Sequence, residues 1–233
     1  MLFKVGLENN LEGRSLAWVL GQPGCFAYGC DGEAALANTP EAILSYIDWV
    51  AQHEPQSWLK PTSIEVQLEE TWQVYSINED YERVEEGYEV NAWFLHDWKP
   101  LTVEDIERGL KLLAWSRADL LATVTPLTRE QMERSYPGER WSILGILQHV
   151  GKAEWWYLDR LGLAFKSPPL PEDPFEGLEL VRQHFTQVLS ESAGLDRVVG
   201  IEGEFWSPRK MLRRAVWHER DHTVHIQKLL AAR

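Results

Sequence analysis

Three histidines lie close together near the end of the chain: His218, His222 and His225. They fall in S-P-R-K-M-L-R-R-A-V-W-H-E-R-D-H-T-V-H-I-Q-K-L-L, which predicts one helix from near Pro208 to Leu230 because serine and then proline suit a helix start. At about 100° per residue, the three histidines fall within roughly 60° of one another. His218 and His222 are one turn apart, so both imidazoles can reach one metal ion.

The stretch from His218 to His222 also matches H-E-x-x-H, the zinc metalloprotease signature. Such a site needs a third protein ligand, which usually lies downstream. Here the only downstream candidate is His225, which lies on the same helix and gives poor tetrahedral geometry. The sequence therefore argues against a peptidase and predicts that the third ligand comes from another helix.

Two residues of this helix are candidates for catalysis. Glu219 is a candidate base; the alternative is a salt bridge on the helix surface to Arg140 or a lysine. His225 is a candidate for lining the cavity or orienting a substrate; the alternative is an exposed position without a role.

The expected third ligand is His149, in a second predicted helix over about 143–162. It lies among apolar residues, on the side of Val150, Ala153 and Trp156, and by itself it would be interpreted as a core histidine. Helices in a bundle pack about 8–10 Å apart, so His149 can meet His218 and His222. Three imidazoles leave a position open for water or substrate, as in catalytic sites.

Helical spacing of apolar residues predicts the architecture of the second half. The interruptions fall at 125–139, at the prolines of Lys166 to Pro174, and at Gly194 to Trp206, where a short hairpin is expected. Four amphipathic helices predict a four-helix bundle. They span about 102–123, 143–162, 175–193 and 208–230.

The first half has the pattern of a small α+β domain. A helix is expected to begin at Pro40, after a shorter one, and the acidic stretch from Glu79 to Glu89 is expected to form a loop. The predicted strands are 3–7, 15–20, 25–28, 64–68 and 71–77. The sequence thus predicts two domains, an α+β module at 1–97 and an all-α bundle at 98–233.

Composition limits the possible partners. The net charge is -13, and residues 1–100 carry 17 acids against 5 bases. This acidic half would repel a phosphate backbone, which argues against nucleic-acid binding. Cys25 and Cys30 have the spacing of neither a redox nor a zinc motif. With no signal peptide pattern and no apolar run of about 18 residues, the sequence predicts a cytoplasmic protein that does not bind a membrane.

The second half resembles the DinB/YfiT-like superfamily of metalloenzymes. The resemblance is carried by W-S-I-L-G-I-L-Q-H-V-G-K-A-E-W-W-Y-L, Trp141 to Leu158, and L-R-R-A-V-W-H-E-R-D-H-T-V-H-I-Q, Leu212 to Gln227. It implies a divalent metal bound by His149, His218 and His222. It also implies transferase or isomerase chemistry that uses a low-molecular-weight thiol. His225 stands where relatives often carry glutamine.

A second resemblance covers roughly residues 2–50. P-G-C-F-A-Y-G-C-D-G-E-A-A-L-A-N-T-P-E-A-I-L-S-Y-I, Pro23 to Ile47, is similar to HicB-type proteins, which are antitoxin partners. The Thr39-Pro40 pair departs from that pattern. A small packing or dimerisation module is the alternative interpretation.

Three function classes follow. The first is a metal-dependent enzyme acting on a small-molecule substrate, with thiol S-transfer or related hydrolase or isomerase chemistry; zinc or nickel is the expected ion. The second is a non-catalytic stress-response or binding protein with a relic or regulatory metal site. The third is an interaction module that uses the acidic half. Exposed bundle faces are compatible with a homodimer.

Further side chains could shape a substrate site. Trp155, Trp156 and Trp217 could form the wall of a pocket, with core packing as the alternative. Arg213 and Arg214 could bind an anionic substrate, with a solvated helix face as the alternative.

Overall fold

The computed structural model describes residues 1–166 and 170–232. They form a mixed α/β protein of two units: residues 1–99 with 198–210, and residues 100–197 with 211–233. The elements follow in this order: β1 Leu2–Leu11, β2 Arg14–Val19, β3 Phe26–Gly29, α1 Gly32–His53, β4 Glu65–Gln73, β5 Ser76–Ile77, β6 Arg83–Val84, β7 Tyr88–Glu89, α2 Val103–Val124, α3 Arg129–Glu133, α4 Ile143–Arg160, α5 Pro174–Ser190, β8 Val199–Ile201, β9 Glu204–Trp206 and α6 Pro208–Ala231.

The first unit is built on a four-stranded sheet in the order β3-β2-β1-β4. β1 runs antiparallel to β2 and parallel to β4. Helix α1 packs against β2 and β3, and it passes so close to Gly29 that a Cβ there would lie 2.1 Å from the backbone nitrogen of Ala35. The three N-terminal strands predicted from the sequence are present.

The prediction of two helices separated at Pro40 is wrong. Helix α1 is continuous from Gly32 to His53 and contains Pro40. Asp31 caps its first turn by accepting a hydrogen bond from the backbone N–H of Ala34 at 2.8 Å. Proline removes one hydrogen bond from the helix, and here the buried residues on either side of Pro40, Thr39 and Ile43 among them, hold the helix together.

The acidic stretch from Glu79 to Glu89 is more ordered than expected. β5 pairs with both β6 and β7 in a small antiparallel sheet. The side chain of Asn78 accepts hydrogen bonds from the backbone N–H groups of Asp80 and Glu82 and so closes the turn between β5 and β6. This local amide-to-backbone closure explains why a polar, charged segment holds a defined turn.

Residues 198–210 belong to the first unit through buried polar contacts. One carboxylate oxygen of Glu204 accepts hydrogen bonds from the backbone N–H and the side-chain amide of Asn91, at 2.7 and 2.8 Å. The other accepts a hydrogen bond from the indole N–H of Trp206 at 2.7 Å. Lys210 is fully buried and donates to the carbonyl of Phe205 at 3.0 Å. The predicted hairpin in this segment is β8–β9.

The second unit contains four long helices, α2, α4, α5 and α6, at the positions that the sequence predicts. The predicted loop from Lys166 to Pro174 includes residues 167–169, which lie outside the described residues. The helices share a buried apolar core: Leu120, Val124, Ile143, Ile146, Leu147, Val150, Leu178, Ile226 and Leu229.

Membership of this core gives the direction of each helix. The last turns of α2 and α6 contribute to it, as do the first turns of α4 and α5. Therefore α2 and α6 run in one direction, and α4 and α5 run in the other. The short helix α3 lies in the segment that the sequence predicted to be broken.

Among the described residues, no helix combines the length and the apolar character that crossing a membrane requires.

Candidate metal site

The imidazoles of His149, His218 and His222 converge on one point of the second unit. The Nε2 atom of His218 lies 3.0 Å from Nε2 of His149 and 3.1 Å from Nε2 of His222. One ligand nitrogen from each residue lies within 4.8 Å of the others. We refer to these three residues as the histidine site.

Local sequence explains how the two helices present these nitrogens. Ser142 caps α4 by accepting a hydrogen bond from the backbone N–H of Gly145. On α4, Ile146 and Val150 flank His149 and enter the shared core; on α6, Ile226 enters the same core one turn after His222. Burial of these apolar neighbours therefore fixes the faces on which the histidines lie.

The separations suit a metal ion. Zinc–nitrogen bonds of about 2.0–2.1 Å in tetrahedral geometry place ligand nitrogens roughly 3.3 Å apart, close to the two distances across His218. Three imidazoles are also a donor set that zinc, nickel and related divalent ions accept. The histidine site therefore fits the ion that the sequence predicts.

Burial keeps the imidazoles of His218 and His222 neutral. The pKa of His218 lies well below its ordinary value because of burial first, and then because a positive charge there would be repelled by His222 or His149 in their protonated forms and by Arg214. Burial, together with His149 and His225, lowers the pKa of His222 to about 3. A neutral imidazole is the form that binds a metal.

Aromatic packing supports the ligands on one side. The ring of Trp141, immediately before α4, stacks on the ring of His149 with centroids 4.5 Å apart and planes inclined at 25°. The guanidinium of Arg140 lies over the Trp141 ring at 4.7 Å. Among the described residues, Nδ1 of His222 is buried without a hydrogen-bond partner. The orientation of His222 therefore rests on ring packing more than on an acceptor behind it.

His225 lies at the exposed rim of the histidine site. Its ring centroid is 6.1 Å from that of His222, and its Nε2 atom lies 3.0 Å from a carboxylate oxygen of Glu139. Both side chains are 32% exposed. His225 therefore lies beside His222 and contacts Glu139, which the sequence analysis did not identify; the role expected for His225 stays a prediction.

Glu219 does not lie on the helix surface, contrary to the alternative prediction of a salt bridge to Arg140 or a lysine. It is 1% exposed. Its two carboxylate oxygens accept hydrogen bonds from Arg117 Nε at 2.5 Å and from Arg182 Nη2 at 2.9 Å, and the hydroxyl of Ser116 also donates to it. Because the side chain of Glu219 is buried, its hydrogen-bond partners are side chains of the neighbouring helices α2 and α5.

These contacts are part of a closed ring of four buried charges, one from each long helix. Arg117 of α2 and Arg182 of α5 alternate with Glu154 of α4 and Glu219 of α6. The two remaining contacts join Arg117 Nη2 to Glu154 at 3.1 Å and Arg182 Nε to Glu154 at 2.5 Å. We call these four residues the charge ring.

The charge ring was not predicted, although the sequence carries a signal for it. Arg117 occupies a position in the apolar repeat of α2, between Leu113 and Leu120. Glu154 and Arg182 interrupt the apolar repeats of α4 and α5 in the same way. A charged residue on the buried stripe of each of several helices requires a partner of opposite sign.

The two arginines at the start of α6 are buried, and the alternative of a solvated face is wrong for both. Arg213 is 5% exposed and Arg214 is 8% exposed. The guanidinium of Arg214 lies over the ring of Trp217, 4.5 Å from its centroid. Trp217 is itself buried, as core packing predicts, and its ring centroid is 5.7 Å from that of His218.

Comparison with known proteins bears on the same region. Residues 112–226 match the profile of the DinB superfamily, a range that contains the whole histidine site. A protein of Oceanobacillus iheyensis named "Putative metal-dependent hydrolase" is 25% identical over 154 residues, which is 56% of this chain and 88% of that protein. No solved structure matches the chain. The two matches support a metal-dependent enzyme; the HicB resemblance of the first 50 residues stays a prediction.

Proposed function

We propose that the second unit is a DinB-type four-helix bundle whose histidine site binds a divalent metal ion and catalyses a reaction of a small molecule. The observation that carries this proposal is the convergence of three Nε2 atoms, two of them from one helix and one from another. A structural zinc site normally has four protein ligands, whereas three leave a position open for chemistry. Among the described residues, His149, His218 and His222 are the one group of histidine, cysteine or carboxylate side chains arranged to hold an ion.

The ion would be zinc or nickel. When bound, it supplies Lewis-acid chemistry, which lowers the pKa of a coordinated water or thiol and so generates a nucleophile near neutral pH. The name of the Oceanobacillus iheyensis relative favours water as the nucleophile and therefore hydrolysis. The DinB/YfiT resemblance favours a low-molecular-weight thiol and therefore S-transfer.

The protein groups around the site divide the remaining tasks. We assign proton transfer to His225, because its Nε2 atom lies at the exposed rim and is held by the Glu139 carboxylate. Glu219 is a poor base, because both its oxygens already accept hydrogen bonds from buried guanidinium groups. Trp141 covers one face of His149 and limits its movement.

Metal content tests the proposal that the histidine site binds a divalent metal ion. The purified wild-type protein should contain, or take up, about one equivalent of zinc or nickel, and His149→Ala and His222→Ala should each lose most of it. His184→Ala is the matched control, because the His184 ring nitrogen contacts the carbonyl oxygen of Leu163 instead of the histidine site. Stoichiometric metal in a His149→Ala/His222→Ala double variant would refute the site.

Turnover measured with and without a thiol tests the proposal that the metal-loaded protein is an enzyme. The loaded enzyme is incubated with ester, amide and electrophilic substrates, in parallel with and without cysteine, glutathione, bacillithiol or mycothiol. Turnover without a thiol that is lost in His149→Ala assigns hydrolysis, and turnover that requires a thiol assigns S-transfer. Metal binding with no turnover in either arm would instead favour the non-catalytic, regulatory metal site.

A further inference from the structure

The acidic and the basic members of the charge ring lie on different helices. α4 and α6 carry the histidine site, and each of them also carries one carboxylate, Glu154 and Glu219. α2 and α5 carry no ligand, and each carries one guanidinium, Arg117 and Arg182. The carboxylates therefore lie on the two ligand helices, and the guanidinium groups lie on the other two long helices.

Each guanidinium binds both carboxylates at once. Arg117 donates from Nε to Glu219 and from Nη2 to Glu154, and Arg182 donates from Nε to Glu154 and from Nη2 to Glu219. All four carboxylate oxygens thus have one guanidinium nitrogen each. Two rigid planar forks therefore join α4 to α6 in parallel, and they fix both the separation and the rotation of these helices.

The other nitrogens of the two arginines anchor the forks to the backbone. Arg117 Nη1 donates to the carbonyl oxygen of Leu178 on α5 at 2.8 Å, and Arg182 Nη1 donates to that of Leu113 on α2. Each arginine therefore reaches the other's helix as well as both ligand helices. With side-chain exposure of 9% and 10% for the two arginines, solvent does not compete for these bonds.

The ring lies close to the histidine site along both ligand helices. Glu219 directly follows His218, and Glu154 follows His149 by five positions, which is about 7.5 Å along a helix axis. A small rotation or slide of α6 against α4 would separate Nε2 of His149 from Nε2 of His218. The charge ring opposes that movement, because Arg117 and Arg182 each hold both ligand helices by hydrogen bonds.

We propose that the charge ring is a positioning device for the metal site, in which Arg117 and Arg182 hold α4 and α6 at the spacing that three-imidazole coordination requires. This inference rests on the proposed function. It assigns a role to four residues that are not members of the histidine site. Buried ion pairs often give little net stability compared with apolar packing, so fixing the geometry of the helices is the role that we infer for this ring.

Cobalt(II) binding to the full chain tests the proposal, because its visible absorption reports the geometry of the ligands. Arg182→Lys keeps the charge but replaces the planar fork by a single ammonium group that cannot hold both carboxylates in the same geometry. We expect its cobalt Kd to rise by about tenfold or more, as for other residues that support metal ligands, with a changed visible band. Arg108→Lys is the matched control and should bind like the wild type, because Arg108 is a half-buried residue of α2 that pairs with the exposed Glu104.

A second variant keeps the test decisive if Arg182→Lys does not fold. In Arg117→Met/Glu154→Leu/Arg182→Met/Glu219→Leu, apolar side chains replace the entire ring and no buried charge is left unpaired. We expect normal far-UV circular dichroism together with the weakened, altered cobalt binding. Wild-type Kd and spectrum in this variant or in Arg182→Lys would overturn the positioning role and leave the proposed metal site intact, whereas a wild-type protein that binds no cobalt would overturn both.

Discussion

Replacing Glu219 by glutamine should cost the second unit much of its stability. The substitution conserves size but removes the negative charge that Arg117 and Arg182 share, and it places an amide donor against one of their donors. Breaking a buried ion pair by removing one partner costs about 3–5 kcal/mol, because the other charge stays buried and uncompensated. We expect a loss of that size in the free energy of unfolding at pH 7, a large part of the 5–15 kcal/mol that is typical of a domain.

The stability lost in Glu219→Gln should be largest near neutral pH and should become smaller in acid. Burial by itself would raise the pKa of the Glu219 carboxyl, but the charges of Arg182 and Arg117, with hydrogen bonds from Ser116 and Arg117, hold it below its ordinary value of 4.5. The contribution of Glu219 is therefore fully present above pH 4.5 and is lost as the pH falls through the lower pKa of the folded state. The difference between wild type and Glu219→Gln should shrink over that acidic range.

Urea unfolding followed by far-UV circular dichroism, at a series of pH values from about 7 down to 3, measures both effects over the range in which carboxyl groups titrate. Glu104→Gln is the control, because Glu104 pairs with Arg108 on an exposed surface of α2. Its loss should stay below about 0.5 kcal/mol. A loss of less than about 1 kcal/mol for Glu219→Gln at pH 7, against the range cited for buried pairs, would refute the reasoning. A difference that does not change with pH would do the same.

Three further substitutions test packing, each by thermal or urea unfolding. Gly29→Ala should destabilise the protein by about 2 kcal/mol or more, because the added Cβ would lie 2.1 Å from the backbone nitrogen of Ala35 and the backbone cannot yield as a side chain does; a neutral result would mean that α1 can move away from β3. Gly151→Ala should instead stabilise α4 by about 0.5–1 kcal/mol. The added Cβ would lie 3.7 Å from the nearest heavy atoms, which is an ordinary contact distance. Destabilisation would show that the space between α4 and α5 is too small for a methyl group. Ile226→Ala should lower the free energy of unfolding by about 2–5 kcal/mol, because the fully buried side chain belongs to the core shared by the four long helices. A loss under about 1 kcal/mol, less than a buried Ile→Ala change usually costs, would show that this core is loosely packed.

Much of the second unit can be predicted because its signals are local. Serine, threonine and proline mark the helix starts, and apolar spacing marks the buried faces, so the four long helices lie within a few residues of their predicted bounds. The histidine site was predicted from spacing on one helix together with the resemblance of two motifs. In the structure, Nε2 of His218 lies 3.0 Å from Nε2 of His149 and 3.1 Å from Nε2 of His222; metal binding by these residues stays a prediction.

What the sequence did not predict depends on contacts between distant segments. Glu219 is an ordinary polar residue in its own helix, and only the approach of α2 and α5 brings Arg117 and Arg182 to it. The continuity of α1 through Pro40 is of the same kind. A local rule predicts a break, whereas burial of α1 against the sheet stabilises the helix on both sides of the proline.

The assignment of residues 198–210 to the first unit affects how the protein can be divided experimentally. A single cut near residue 100 would remove Glu204 from the backbone and amide groups of Asn91 that it binds, and it would leave Lys210 without its buried surroundings in one of the two fragments. The N-terminal fragment would therefore lack part of the first unit, and the C-terminal fragment would carry residues 198–210 without the contacts that bury them. To express the acidic α/β unit by itself, the β8–β9 hairpin has to be joined to the N-terminal fragment. Glu204 then stays in the same polypeptide as Asn91, to which it is hydrogen-bonded.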